Sequence, residues 1–161
     1  MTDPFDTIIR GGTVVHSGGT GIADVGILDG RFAAIAPHLD ARARTEIDAD
    51  GLLVLPGGVD THCHIEQVSG AGLLNADTFE TATRSAAMGG TTTVVSFAAQ
   101  HPGIPMERVV ADYAALARKG ALIDYAFHMI VSDISGGNLT QDIPALIAQG
   151  PRAIKSCTTY D

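Results

Sequence analysis

The rhythm of apolar and polar positions changes near residue 52. Before it, short β-branched or alternating runs separated by glycine predict small strands and no helix. Asp6-Thr-Ile-Ile-Arg10 leads through Gly11-Gly12 into Thr13-Val-Val-His16. Residues 23–28 and 31–36 flank Asp29-Gly30, a dipeptide that favours a tight two-residue hairpin. Residues 45–48 supply another short strand before Asp50-Gly51 turns the chain. The pattern assigns residues 1–51 to a β-rich segment, part of a sheet or sandwich packed beside the remainder of the chain.

From residue 52 strands and helices alternate. A strand is expected over 52–62. Asp77-Thr-Phe-Glu80 reads as a capping box with Asp77 at the N-cap, opening a helix over 78–88 that stops at Gly89-Gly90. Residues 91–97 are β-branched and read as a buried strand. Pro105 opens a helix that runs to about 119, with Gly120 as its stop. A strand over 123–131, a helix over 140–149 closed by Gly150, and a strand over 152–157 complete the series. Such alternation predicts parallel strands with right-handed crossovers. It fits a small doubly wound sheet or the first half of an eight-fold barrel, and both place chemistry at the C-terminal strand ends. Because the chain stops directly after the fourth strand of this series, it is expected to be the N-terminal piece of a longer protein.

Charge narrows the partners. Ten Lys and Arg against 18 Asp and Glu give a formal net charge of −8, which argues against nucleic acid or an anionic membrane surface. No apolar run is long enough to span a bilayer. Asp3 and Asp6 stand where a signal peptide would carry basic residues. Cys63 and Cys157 read as free thiols, which fits a soluble, cytoplasmic protein.

The candidate chemistry centres on Leu55-Pro-Gly-Gly-Val-Asp-Thr-His-Cys-His64. Strand side chains alternate faces, so His62 and His64 point the same way. Two imidazoles at a strand end form half of a metal site, since neutral imidazole is a common ligand for zinc and similar ions. The plain alternative is one histidine in a loop and one buried with a hydrogen bond. Gly57 and Gly58 leave room for close backbone approach before the pair. Lys155 lies at the end of the fourth strand of the alternating series, where an isolated lysine would ordinarily snorkel to the surface. Tyr160 follows five residues later and by itself reads as a packing residue. His101 and His128 fit structural positions, and His16 and His38 lie in the β-rich segment.

Four stretches in order then carry a resemblance: Pro56-Gly-Gly-Val-Asp-Thr-His-Cys-His64, Asn75-Ala-Asp-Thr-Phe-Glu80, Gly89-Gly-Thr-Thr-Thr-Val-Val95, and Lys155 with Tyr160. Together they resemble the dihydropyrimidinase and D-hydantoinase branch of the amidohydrolase superfamily. The resemblance implies an α/β fold: the N-terminal half of a (β/α)8 TIM barrel over residues 52–161, preceded by part of a composite β-sandwich over 1–51. It implies two divalent metal ions, zinc in most members, with His62 and His64 as ligands. Lys155 would carry a CO2-derived carbamate that bridges the two ions, and Tyr160 would donate to the developing oxyanion. A carbamate suits that role because it brings a negative charge and two oxygens, where an ammonium brings neither.

The implied activity is hydrolysis of a cyclic amide C–N bond, opening a dihydropyrimidine or hydantoin to the N-carbamoyl amino acid. The implied partners are a small-molecule substrate and, in the complete protein, the other subunits of a homotetramer. Two further histidines and an aspartate would lie beyond Asp161, so these 161 residues alone are expected to be inactive. Allantoinase and dihydroorotase use the same metal logic, and non-catalytic relatives of the family act as scaffolds. Retention of His62, His64 and Lys155 favours the enzyme. Ser156-Cys157-Thr158 departs from the apolar bulk common after the family's lysine.

Overall fold

The computed structural model describes residues 4–135, 138–151 and 153–156. By its internal contacts the chain divides into two compact units, Met1–Pro56 and Gly57–Asp161.

The first unit is a β-sheet. It comprises β1 (Phe5–His16), β2 (Gly19–Leu28), β3 (Arg31–Ala36), β4 (Ala43–Asp48) and β5 (Leu53–Val54), in the order β3-β2-β1-β4 with β5 also on β1. The hairpin at Asp29-Gly30 is as expected, and both residues take positive φ, 50° and 70°, as a type I′ turn requires. The Gly11-Gly12 break does not end a strand. Instead β1 runs through it, and the pairing with β2 slips between Ile9 and Gly12, with Gly11 at φ 66°.

A slip of this kind strands a backbone N–H, and Asp24 across the ladder collects it. Its carboxylate accepts from Gly11 N–H (2.9 Å), Leu39 N–H (3.0 Å) and the Arg10 guanidinium (3.0 Å) while only 4 % exposed. Arg10 also donates to Glu46 and to the carbonyls of Leu39 and Ala41. One buried carboxylate thereby ties together β1, β2 and the segment before β4.

The second unit begins with a correction. The strand expected over 52–62 is two strands, β5 in the first unit and β6 (Gly58–Cys63) in the second. Pro56 has no N–H to give a ladder, and the run changes sheets around it. β6 is followed by α1 (Phe79–Met88), β7 (Thr91–Ala99), α2 (Met106–Gly120), β8 (Asp124–Val131), a π turn (Asn138–Asp142), α3 (Ile143–Gln149) and β9 (Ile154–Ser156). The four strands pair in parallel, as the alternation predicts, and their order β6-β7-β8-β9 is that of the α/β half-barrel the resemblance implies rather than of a doubly wound sheet.

Two helix starts differ from expectation. The box at α1 is shifted by one residue: Thr78 is the N-cap and exchanges side-chain and backbone bonds with Thr81. Glu80, expected to close the box, pairs with Arg84 one turn on. The third helix opens as a π turn before its α-helical part, which carries Pro144 in its first turn. A proline there lacks the N–H that a continuous helix from residue 140 would need.

The core lies between the sheet and the helices. Val94 and Ala98 of β7 and Phe127, Met129 and Val131 of β8 meet Phe79 of α1, Met106, Val109, Tyr113 and Ala117 of α2, and Ile143 and Leu146 of α3. The α2 residues recur at spacings of three and four, the stripe an amphipathic helix buries. Thr83, fully buried, donates to the Phe79 carbonyl and accepts from Leu122 N–H (3.0 Å), linking α1 to the entry of β8. Among the described residues no helix is long and apolar enough to cross a membrane.

Gly57 has a steric reason to be glycine. A Cβ there would lie 2.0 Å from Oγ1, 2.3 Å from Cγ2 and 2.6 Å from Cβ of Thr92. Because Thr92 branches at the atom that clashes, no rotamer clears the space.

Replacing Asp24 by alanine should destabilise the protein by on the order of 3 kcal/mol, because two backbone N–H groups lose their acceptor and Arg10 loses one of its two carboxylates. Burial pushes the Asp24 carboxyl up, but the Leu39 and Gly11 N–H groups and the Arg10 guanidinium outweigh it and hold it below the usual carboxylate range. Its contribution is therefore complete above a pH of about 4, where an unfolded aspartate ionises, and is lost as pH falls further. Urea midpoints of wild type and Asp24→Ala should converge in acid, and a gap that stays constant with pH would refute the assignment.

Gly57→Ala should cost about 1–3 kcal/mol by overpacking. Gly58→Ala should cost less, since the nearest atom there, Thr91 Oγ1, is 3.3 Å away. Equal denaturation midpoints for the two variants would contradict the steric reading.

Candidate metal centre

The period of two along the parallel strands sorts their side chains into two sets. Cys63 turns toward the helices and packs against the apolar cluster. Burial, with the nearby Asp60 charge adding to it, pushes the Cys63 thiol up against the opposing hydrogen bond with Ser96. It is held as a thiol and is not poised as a thiolate ligand.

His62 and His64 lie on the other face. Their ring centroids are 5.6 Å apart, and both meet Phe97 of β7, at 4.7 Å and 4.8 Å. Phe97 pairs in register with His128 of β8, and their rings are 5.4 Å apart. One strand further, Lys155 pairs with Ile130, and its Nζ stands 4.6 Å from the Phe97 ring centre. The structure thus brings His62, His64 and Lys155, candidates from separate stretches of sequence, around one phenyl ring.

His64 is fixed at both ends. Its Nδ1 is hydrogen-bonded to Gln67 Oε1, and its carbonyl accepts from Asn75 Nδ2 at 2.9 Å. With an amide oxygen as partner, Nδ1 carries the proton and Nε2 keeps its lone pair, the tautomer a metal ligand needs. The chain beyond is pinned as well. Ile65 N–H donates to Ser96 Oγ (3.3 Å), and Glu66, at φ 47°, accepts from Phe79 N–H (2.8 Å) at the start of α1. His62 is exposed, and its N–H donates to Asp60 Oδ1 at 2.9 Å.

At the C-terminal ends of β7 and β8, Gln100 acts as a clamp. Buried to 4 % exposure, it accepts from Ser132 N–H (3.1 Å) and Asp133 N–H (3.0 Å) and donates to the Ile104 carbonyl (2.8 Å). Sequence reasoning missed Phe97, Gln67 and Gln100. Gln67 alone left a local signal, a polar side chain three residues after a candidate ligand.

His101 contributes a carbonyl to Ile104 N–H in the loop after β7, and His128 has no hydrogen-bond partner for its buried Nδ1 among the described residues. His16 accepts from Gly18 N–H, and His38 lies 3.5 Å from Asp24, both in the first unit. Tyr160 and Cys157 lie outside the described residues. Among those described, no three His, Cys, Asp or Glu side chains converge as a metal site; the third candidate here is a lysine, a donor only once its amine is neutral or modified. Two shallow clefts, one beside Val14 and Ile22 and one beside Arg10 and Glu46, belong to the first unit and contain none of the candidates.

No family model matches the chain. A curated D-hydantoinase from Streptomyces coelicolor is 45 % identical over 159 residues, covering 96 % of this chain and 34 % of its own length. An allantoinase from Rubrobacter xylanophilus is 43 % identical over 123 residues, covering 76 % of this chain and 26 % of its own length. The crystal structure of dihydropyrimidinase from Brevibacillus agri superposes with a TM-score of 0.84 at 36 % identity, covering 92 % of this chain and 32 % of that one. The chain therefore spans between about a quarter and a third of the length of these relatives. Over that part, in sequence and in fold, it belongs to the dihydropyrimidinase and D-hydantoinase family.

Proposed function

We propose that the protein hydrolyses a cyclic amide, opening a hydantoin or dihydropyrimidine ring to the N-carbamoyl amino acid at a divalent metal centre held by His62, His64 and a carboxylated Lys155. The observation that carries this reading is the gathering of these three side chains around Phe97 on one sheet face, in a chain whose relatives are named for that chemistry.

The donor set fits the group. His64 offers Nε2 with its tautomer set by Gln67, and His62 stands beside it on the same face. Imidazole nitrogens with a carbamate oxygen suit zinc, and two ions sharing the carbamate are part of the proposal. When bound, the ions supply a Lewis acid for the amide carbonyl and make water acidic enough to attack at neutral pH.

Lys155 gains its carbamate when the neutral amine attacks CO2. An N–C bond forms, one C=O π pair moves onto oxygen, and the nitrogen releases a proton. The product presents two oxygens sharing a negative charge where the free side chain offered one nitrogen. Tyr160 is proposed to donate its phenolic O–H to the oxyanion that forms as the ring amide is attacked, worth on the order of 3 kcal/mol if it resembles other oxyanion donors. Assembly as a homotetramer and a cytoplasmic location complete the proposal.

In the full-length protein, His62→Ala with His64→Ala should abolish tightly bound metal, measured by elemental analysis after dialysis. Unchanged metal content would sink the ligand assignment. Lys155→Ala should abolish ring opening of dihydrouracil, 5-substituted hydantoins and allantoin alike. Loading with 13C-labelled bicarbonate should give a carbamate carbon resonance in wild type that Lys155→Ala lacks, and its absence from active wild type would refute the modification.

A further inference from the structure

We infer that Phe97 is a positioning residue for this site: its ring sets the orientation of the two imidazoles that the proposed metal centre needs. The inference rests on that metal reading for its purpose and on geometry for its content.

Phe97 is only 4 % exposed, yet it does not belong to the apolar cluster between sheet and helices. It faces the other way, and the groups against its ring are His62, His64, His128 and Lys155. A phenyl ring that touches three imidazoles and a lysine amine is unusual as simple core filling. Aromatic pairs prefer offset-stacked or edge-on arrangements, so one ring can hold several aromatic neighbours at defined angles.

Both arrangements occur here. His64 lies nearly parallel to Phe97, at 20°, while His62 meets it at 65°, so the two imidazoles stand 66° from each other. The imidazoles are constrained unequally. His64 has two restraints, the Gln67 bond at Nδ1 and the phenyl plane. The His62 ring is held by its contacts with Phe97 and His64. His128 backs the phenyl from β8, and its buried Nδ1 has no hydrogen-bond partner among the described residues, so it contributes by packing. Remove the flat ring and keep its apolar volume, and the sheet face stays filled while the imidazoles regain rotation about their Cβ–Cγ bonds.

The consequence is a loss of metal retention out of proportion to the loss of stability. Residues that orient metal ligands without touching the ion affect affinity roughly tenfold to a hundredfold. The test compares Phe97→Leu with Phe127→Leu in the full-length protein. Phe127 is 7 % exposed on the neighbouring strand but faces the helices, so its loss costs packing without touching the candidate ligands.

Zinc affinity is read by competition with a chromophoric chelator, and stability by urea unfolding in excess chelator. Phe97→Leu should weaken zinc affinity at least tenfold, and Phe127→Leu less than threefold at an equal or larger drop in midpoint. In the metal-free protein, the ring protons of His62 and His64 should lose their phenyl ring-current shifts in Phe97→Leu alone. Equal zinc losses in the two variants, or imidazole resonances indifferent to Phe97, would overturn the inference. Wild type that binds no zinc would sink the metal reading instead and leave the imidazole resonances to decide the role of Phe97. Phe97→Met, apolar and flexible, is read by the same measures if Phe97→Leu yields no folded protein.

Discussion

A strand offers its side chains two faces, and neighbours along the chain must take opposite ones. This constraint governs the second unit. On β7, Val94, Ser96 and Ala98 go to the helices, which leaves Phe97 for the other face. On β8, Phe127, Met129 and Val131 go to the helices and leave His128 and Ile130. The same parity sends Cys63 inward and its two histidine neighbours outward. Helix packing thus decides which residues are free for chemistry before any chemistry is considered. A parallel ladder then aligns those residues across strands, so that Phe97, His128 and Lys155 come together although they are far apart in sequence.

The two units handle buried polarity differently. In the first, Asp24 takes up what a strand irregularity leaves over and is saturated by partners within its own sheet. Its lowered pKa belongs to structure, since both carboxylate oxygens have assigned donors. Around Phe97 the polar atoms are tied on one side only. Gln67 occupies one nitrogen of His64 and leaves the other. Half-satisfied donors on a rigid sheet face are what a ligand-binding site requires, and fully satisfied ones are what a core requires.

Much of this was legible in the sequence because it depends on local spacing. The alternation of strands and helices, the Asp29-Gly30 hairpin and the common face of His62 and His64 follow from periods of two and 3.6 and from turn chemistry. What was hidden depends on partners distant in the chain. Nothing near Asp24 announces that Gly11 and Leu39 will need its oxygens. Phe97 sits in a run of apolar residues that reads as ordinary buried strand, and only the ladder shows that its neighbours are imidazoles. The misplaced capping box had a local cause. Asp77, Thr78 and Thr81 all carry oxygens that can bond at a helix start: Thr78 and Thr81 cap each other, while Thr81 Oγ1 also donates to Asp77.

The approach of Gly57 to Thr92 carries a consequence for how this sequence can drift. With the threonine in place, any side chain at 57 collides with an atom that cannot swing aside. Only glycine at 92 would remove that obstacle outright, since every other residue keeps the Cβ that lies 2.6 Å away, and glycine would at the same time soften a β-branched strand position. The two sites are therefore coupled: what a side chain at 57 costs depends on what stands at 92. A lineage that kept threonine at 92 would meet that cost with every side chain it tried at position 57, however freely its surface loops changed.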